Sequence, residues 1–295
     1  MAQIKKITIG EDYIDFEEFK KEIYTEVDKK DVTTRNLTEH YNPRDIMTVL
    51  GETDVRRAFQ LLSQKSTNNG DFSDLRVGDY IDIPNLHTYT GNTRFEIAAF
   101  DHYLNRGTSG NIITQHHITM ISYDLVEKRQ MHSSKENKYY YNRALAIHLN
   151  TTINNAIIKA TGVTPLPITL QWDYHNTITA PLSVYVPQIE EVMSPGSGWG
   201  TLNYRGRQWW NDQTMWGQYG SPTLSSQFPL FAKYPHRMRK KFNGTYIPWW
   251  TSTPDRDHTL GFSVVPVDGV DANGNGTAFV AYASLSHGVA LTFNL

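Results

Sequence analysis

The chain reads as an α+β protein: an irregular mixed sheet with one main helix and long loops. Three observations predict it. Residues 77–84 alternate apolar and polar positions, and residues 260–267 and 277–285 are strand-like runs on either side of a polar Gly/Asn loop. Ala146, Leu149, Ile153 and Ile157 recur at intervals of three and four, the stripe of one helix face. Residues 194–243 are rich in Gly, Trp, Tyr, Ser, Pro and Asn and follow neither period, as a long insertion with its own function or packing would.

Residues 1–70 differ from the rest and are assigned to an N-terminal helical attachment segment, with the polar stretch 66–70 leading to a body at 71–295. Residues 7–14 alternate briefly. Phe16, Phe19, Ile23 and Val27 are spaced for an amphipathic helix. Residues 45–64 are spaced for another, with Pro43 near its start and Gly51 placed to divide it. This segment is either a helical subdomain packed on the body or an arm that docks on another chain. In the body, residues 77–84 close on Pro84, and residues 94–104 and 118–126 are further strands, with turns at Asp101-His102 or residues 105–110. The main helix runs over residues 142–160 and stops at Gly162. A short strand at 183–186 ends at Pro187, and residues 188–193 make one helical turn. Trp249 and Trp250 carry a large apolar area, and each indole N–H needs a partner when buried. They read as core pins, together with Phe293 in a final stretch, residues 288–295, that alternates as a strand inside a sheet does.

Composition narrows the function classes. The net charge of −2 gives no bulk attraction to nucleic acid or anionic membrane. No apolar run is long enough to span a bilayer, and the opening MAQIKKITIGEDY holds no stretch of signal-peptide type. There is no cysteine, which excludes disulfides, thiolate zinc sites and cysteine catalysis. Plentiful Tyr and Trp among Gly, Asn and Thr suit a loop-rich surface that binds other macromolecules.

The candidate chemistry is weighed group by group. Trp199, Trp209, Trp210, Trp216 and Tyr219, with Arg207 and Asp212 among them, suit sugar or protein recognition, since aromatic faces stack while polar groups fix orientation. The alternative is that these rings only fill a region with few regular elements. His236-Arg237-Met238-Arg239-Lys240-Lys241 is the sharpest charge run. It is a solvated segment or a local patch for an acidic partner or anionic glycan. Glu190-Glu191 and Asp255-Arg256-Asp257 read as a solvated helix edge and a salt-bridged turn rather than acid–base pairs. His116 and His117 precede a strand, so they face opposite ways and cannot readily share a metal. Asp271-Ala272-Asn273-Gly274-Asn275-Gly276 matches the first half of a calcium loop, but Tyr282 stands where the bidentate Glu belongs, so a hairpin tip is the better account. No nucleophile elbow and no phosphate loop in strand–helix context is present. The expectation is a non-enzyme with no cofactor and no metal.

Five motifs follow one another in a recognisable order: Val77-Gly78-Asp79-Tyr80-Ile81, then Tyr141-Asn142-Arg143-Ala144-Leu145-Ala146-Ile147-His148-Leu149-Asn150, then the strand and Pro-x-x-Glu-Glu turn over residues 184–192, then Trp249-Trp250-Thr251-Ser252, and last Gly288-Val289 with Phe293-Asn294-Leu295. In these, residues 75–295 resemble a family of phage virion and gut-bacterial surface proteins, a domain of unknown function distantly similar to the C-type-lectin-like fold. The chain departs from that pattern at Thr251, where the family usually has Arg, and at Ala290-Leu291, where it often has Arg-Pro. The resemblance implies a virion location as a capsid decoration, head-fibre or tail-associated protein. Its expected partners are other virion proteins, further copies of itself, and a host glycan or surface protein, with no nucleic acid and no membrane insertion. A purely structural virion subunit is the alternative, and a glycan-active surface enzyme the second.

Overall fold

The computed structural model describes residues 6–9, 12–15, 41–86, 91–105, 107–108, 111–134, 143–169, 181–193, 227–254, 261–267 and 279–295. The chain divides into two compact units, residues 1–40 and 41–295. In the first, β1 (Lys6–Ile9) and β2 (Asp12–Asp15) form an antiparallel hairpin with Ile7 opposite Ile14, on the alternating run. The helix expected on Phe16, Phe19, Ile23 and Val27 lies outside the described residues.

The second unit opens with α1 (Ile46–Leu50) and α2 (Val55–Thr67), capped by the side chains of Asp45 and Asp54. Gly51 ends α1 at φ +66°, a left-handed turn that glycine makes without steric cost, so one run of helical spacing becomes two helices. Ile46, Ala58, Phe59 and Leu62 are buried in the same core as the strands. Ser66 donates to the Leu295 carbonyl at 2.8 Å. The division therefore falls after residue 40 and not after residue 70: the apolar faces of both helices are covered by the body, which makes them part of it.

Next come β3 (Tyr80–Pro84), β4 (Asn92–Phe100), the small hairpin β5 (Gly107–Thr108) and β6 (Asn111–Ile112), β7 (Ile118–Ser122) and β8 (Glu127–Gln130). The main helix is built from α3 (Ala144–His148), a π-helical turn (Leu149–Ile153) and α4 (Asn154–Thr161), closed by Gly162 at φ +72°. It buries the expected stripe of Ala146, Leu149, Ile153 and Ile157. Then follow β9 (Ile168–Thr169), β10 (Pro181–Leu182), β11 (Val184–Tyr185) and the single turn α5 (Ile189–Val192). Next come α6 (Pro229–Lys233), a 3-10 turn (Pro235–Met238), and the hairpin β12 (Lys241–Phe242) and β13 (Thr245–Tyr246). The chain continues with β14 (Trp249–Pro254), β15 (Gly261–Val265), β16 (Phe279–Tyr282), β17 (Ser286–Val289) and β18 (Thr292–Asn294).

The strands make a mixed α+β body around two five-stranded sheets. One runs β11-β18-β7-β4-β3 and is antiparallel throughout. The other runs β16-β15-β14-β17-β8 and contains one parallel pairing, Trp249 beside Gly288. Two direct crossings between them lie at residues 123–126 and 290–291, so the strand expected over 118–126 ends at Ser122. The crossings are tied together: Ser122 N–H donates to the Leu291 carbonyl (2.8 Å), Leu291 N–H to Ser122 Oγ (3.1 Å), and Val126 N–H to the Val289 carbonyl (3.0 Å).

Trp249 and Trp250 are fully buried and each indole N–H is satisfied, on the Met238 carbonyl (2.9 Å) and the Arg129 carbonyl (2.8 Å). Phe293, also buried, meets Phe95 edge-on at 5.1 Å. These three residues are core, as expected. In the π turn, Asn150 serves as a surrogate strand neighbour for β11. Its Oδ1 accepts from the Ser183 and Val184 N–H groups (2.7 and 3.2 Å), and its Nδ2 donates to the Val184 and Ala146 carbonyls. No helix of the described residues is long and apolar enough to cross a membrane.

Candidate functional site

Met193 and Gln227 flank the aromatic-rich stretch 194–226, and the two flanks form a root on α5. Gln227 Nε2 donates to the Val192 carbonyl (2.9 Å), and Phe228 N–H to the Glu191 carbonyl (2.8 Å). The flank at 227–228 is thereby clamped to α5, which the other flank, Met193, directly follows. The start of the turn is fixed by Glu191, which reaches back to accept from Gln188 N–H at 2.8 Å and so satisfies a helix-start donor.

The root encloses a sealed polar cluster. Glu190 is 3 % exposed and Glu191 0 %. This corrects the reading of the pair as a solvated edge: one short turn sits between the sheet and the returning chain, so both faces are covered. Glu190 meets Thr253 Oγ on β14 at 3.4 Å, and the same hydroxyl accepts from Ile189 N–H. Glu191 lies 3.5 Å from His102 Nε2 and acts electrostatically on the Tyr103 hydroxyl. Behind Tyr103 a line of donors points one way. Thr119 Oγ donates to Asn294 Oδ1 (2.8 Å), Asn294 Nδ2 to the Tyr185 hydroxyl (3.2 Å), and Tyr185 to the Tyr103 hydroxyl (2.9 Å). His102 in turn packs edge-on against Phe228 at 4.6 Å.

Burial, and then the neighbouring Glu191, holds the Glu190 carboxyl well above the usual carboxylate range. Burial and Glu191 likewise raise Tyr103 well above an ordinary phenol. His117, fully buried, is pushed down to about 4 by burial. Its Nε2 accepts from Tyr103 N–H (3.0 Å) and its Nδ1 faces the Gln115 carbonyl (3.0 Å), so it holds the turn beneath the cluster as a neutral ring. His116 instead faces outward, 2.7 Å from Asp101. The two neighbours, in extended chain just before β7, serve different sides. Among the described residues no three His, Asp or Glu side chains converge as metal ligands.

The basic run 236–241 is not a solvated patch. Arg237 is 4 % exposed and Lys240 1 %. Arg237 pairs with the buried Glu96 through Nη2 at 2.7 Å and Nε at 3.1 Å, donates to the Tyr123 carbonyl, and lies 3.5 Å over the Tyr123 ring. Lys240 Nζ donates to the Ser122 and Tyr123 carbonyls at the first sheet crossing. Burial, and then Arg237, pushes its ammonium down to about 7. Arg239 and Lys241 remain toward solvent, both close to the ring of Tyr246.

Trp199, Arg207, Trp209, Trp210, Asp212, Trp216 and Tyr219 lie outside the described residues, as do Asp255-Arg256-Asp257 and the loop 271–276. Of the groups that surround the root, sequence reasoning picked out Glu190 and Glu191 but missed His102, Tyr103, Tyr185 and Asn294. No spacing links them, because they come from segments far apart in the chain. No family model matches the chain, and neither curated proteins nor solved structures gave a match.

Proposed function

We propose that the chain is a non-enzymatic bacteriophage virion protein whose body displays an aromatic segment for binding a host surface glycan or protein. The observation that carries this reading is the root. Residues 194–226 hold Trp199, Trp209, Trp210, Trp216 and Tyr219; of their flanks, Met193 follows one buried turn and Gln227 and Phe228 are clamped to it. Binding residues are commonly set on irregular segments held by a rigid scaffold. Amides, Arg207 and Asp212 beside aromatic rings provide the stacking and orienting groups that such ligands need. The resemblance of the five motifs to those of phage virion proteins supports the location. The mixed sheets, the one long helix and a C-terminal strand inside a sheet support a C-type-lectin-like body. The carboxyls of Glu190 and Glu191 are sealed from solvent, which supports a binding rather than a hydrolytic role. Many copies on one particle would raise weak single contacts to useful avidity.

Cryo-EM of the native particle tests the reading, together with adsorption of particles carrying Trp209→Ala and Trp210→Ala to host cells. Residues 199–219 on the outer surface, with impaired adsorption by the variants, is the expected result. The same residues packed against neighbouring subunits would make the protein a structural component, and its absence from particles would end the virion assignment.

A further inference from the structure

We infer that Asn243 is a site of self-modification: its side chain closes on the Gly244 nitrogen, loses ammonia and ends as an aspartyl or isoaspartyl residue. The inference does not rest on the recognition reading, since it needs only the chain and water.

Among the described residues there are two Asn-Gly pairs, Asn69-Gly70 and Asn243-Gly244. In both the asparagine is exposed and has a positive φ, 62° and 49°. Glycine puts no side chain beside the attacking nitrogen, so the two pairs are chemically alike. Their surroundings separate them. Gly70 N–H is held by the Lys65 carbonyl of α2 at 3.2 Å. A Cβ on Gly70 would stand 2.6 Å from Cγ and Nδ1 of His116, and that ring is in turn held by Asp101 at 2.7 Å. Turning the 69–70 peptide toward the Asn69 side chain breaks the hydrogen bond and drives the backbone against the ring.

Gly244 has neither restraint. Its N–H has no hydrogen-bond partner among the described residues, and a Cβ on it would meet nothing within 4 Å. Asn243 and Gly244, the latter at φ 79°, form the two-residue tip between β12 and β13. Only two residue pairs close that hairpin, Phe242 with Thr245 and Lys241 with Tyr246, so its tip opens at low cost.

The reaction balances without an added reagent. The Gly244 nitrogen gives up its proton and attacks Cγ of Asn243. An N–Cγ bond forms, the Cγ–Nδ2 bond breaks, and Nδ2 leaves with that proton as ammonia. Water then opens the cyclic imide. Cleavage of N–Cγ gives aspartate, and cleavage of the original peptide bond gives isoaspartate. Either product puts a carboxylate at the tip of a hairpin whose face carries Arg239 and Lys241 on the Tyr246 ring, at 4.5 and 5.0 Å. Isoaspartate also lengthens the backbone of the tip by a methylene.

Peptide mapping by mass spectrometry tests this on the folded full chain, incubated at mildly alkaline pH in water labelled with heavy oxygen. The same chain in urea gives the intrinsic rates, which should be similar at the two pairs. In the folded chain Asn243 should convert at least about threefold faster than Asn69, the population cost of freeing one hydrogen-bonded amide. Its product should carry heavy oxygen, contain isoaspartate and form faster as pH rises, because the attacking nitrogen must lose its proton. Equal rates at the two sites, a faster Asn69, or an Asn243 that stays intact when folded but converts in urea would overturn the inference. In His116→Ala the rate at Asn69 should rise toward its value in urea, with Asn243 unchanged. No rise at Asn69 would overturn the shielding on which the contrast rests. Should that variant not fold, the wild-type comparison decides.

Discussion

The buried Arg237–Glu96 pair gives the sharpest test of the packing. Replacing Arg237 by Met keeps the volume and removes the charge. Glu96, with a side chain 0 % exposed, then loses contacts at 2.7 and 3.1 Å, and the Tyr123 carbonyl loses a donor. Breaking a buried pair from one side costs about 3–5 kcal/mol, because the remaining charge stays buried. The cation over the Tyr123 ring adds about 0.5–2 kcal/mol. Lys240, whose ammonium feels both Arg237 and Glu96, offsets part of this by charging more readily once Arg237 is gone. A net loss of about 3–5 kcal/mol remains, or a fall in Tm of roughly 6–20 °C for a body of this size. The double variant Glu96→Met with Arg237→Met should recover most of it, since an apolar pair of similar volume replaces a buried ion pair at little cost. Urea denaturation of the three variants, read as midpoints at constant slope, measures both numbers. A loss below about 1 kcal/mol for Arg237→Met is what an exposed pair would show. That value, or strict additivity in the double variant, would refute the buried network and reinstate a solvated basic patch.

Three further outcomes are expected. Burial holds His117, His236 and His287 at about 4 against an ordinary 6.5, so the unfolded chain binds more protons between these values and stability falls with acidification through that window, His117 contributing about 3 kcal/mol; pH-dependent denaturation should show this slope, and His117→Gln should reduce it by about one proton's share. Asn150→Ala strips Ser183 N–H, Val184 N–H and the Val184 carbonyl of their partner and should cost about 2–4 kcal/mol. Hydrogen exchange should show the loss concentrated at β11. A Cβ on Gly288 would stand 2.3 Å from Leu125 Cδ1 and 3.1 Å from its Cγ, so Gly288→Ala should destabilise by about 1–3 kcal/mol in thermal unfolding.

Local features were legible where local physics decides them. The break at Gly51, the stop at Gly162, the stripe on Ala146, Leu149, Ile153 and Ile157, and the burial of Trp249 and Trp250 each follow from nearby residues. What was not legible depends on partners distant in the chain. Residues 236–241 look solvated until Glu96 and Tyr123 are brought beside them. Glu190 and Glu191 look like an exposed edge until the chain returning at Phe228 covers them. Apolar spacing in α1 and α2 shows that they need a cover but not which one, so it does not reveal that they belong to the unit 41–295. The π turn at Leu149–Ile153 has no local signal, since it is stabilised by the way Asn150 meets β11.

The twin crossing between the sheets bears on how the protein is made. β18 lies between β11 and β7, and β17 lies between β14 and β8. Residues 286–294 thus occupy interior positions in both sheets, and Leu295 reaches back to Ile118 and Ser66. While the chain is still emerging from the ribosome, neither sheet can be completed. Strands translated early wait with unpaired edges until these last pieces arrive. The long separation between partners slows closure, and the waiting edges are the surfaces on which nascent chains associate wrongly. Until the stretch that carries β17 and β18 has emerged the body cannot close, and a ribosome stalled just before it would hold a half-built sheet.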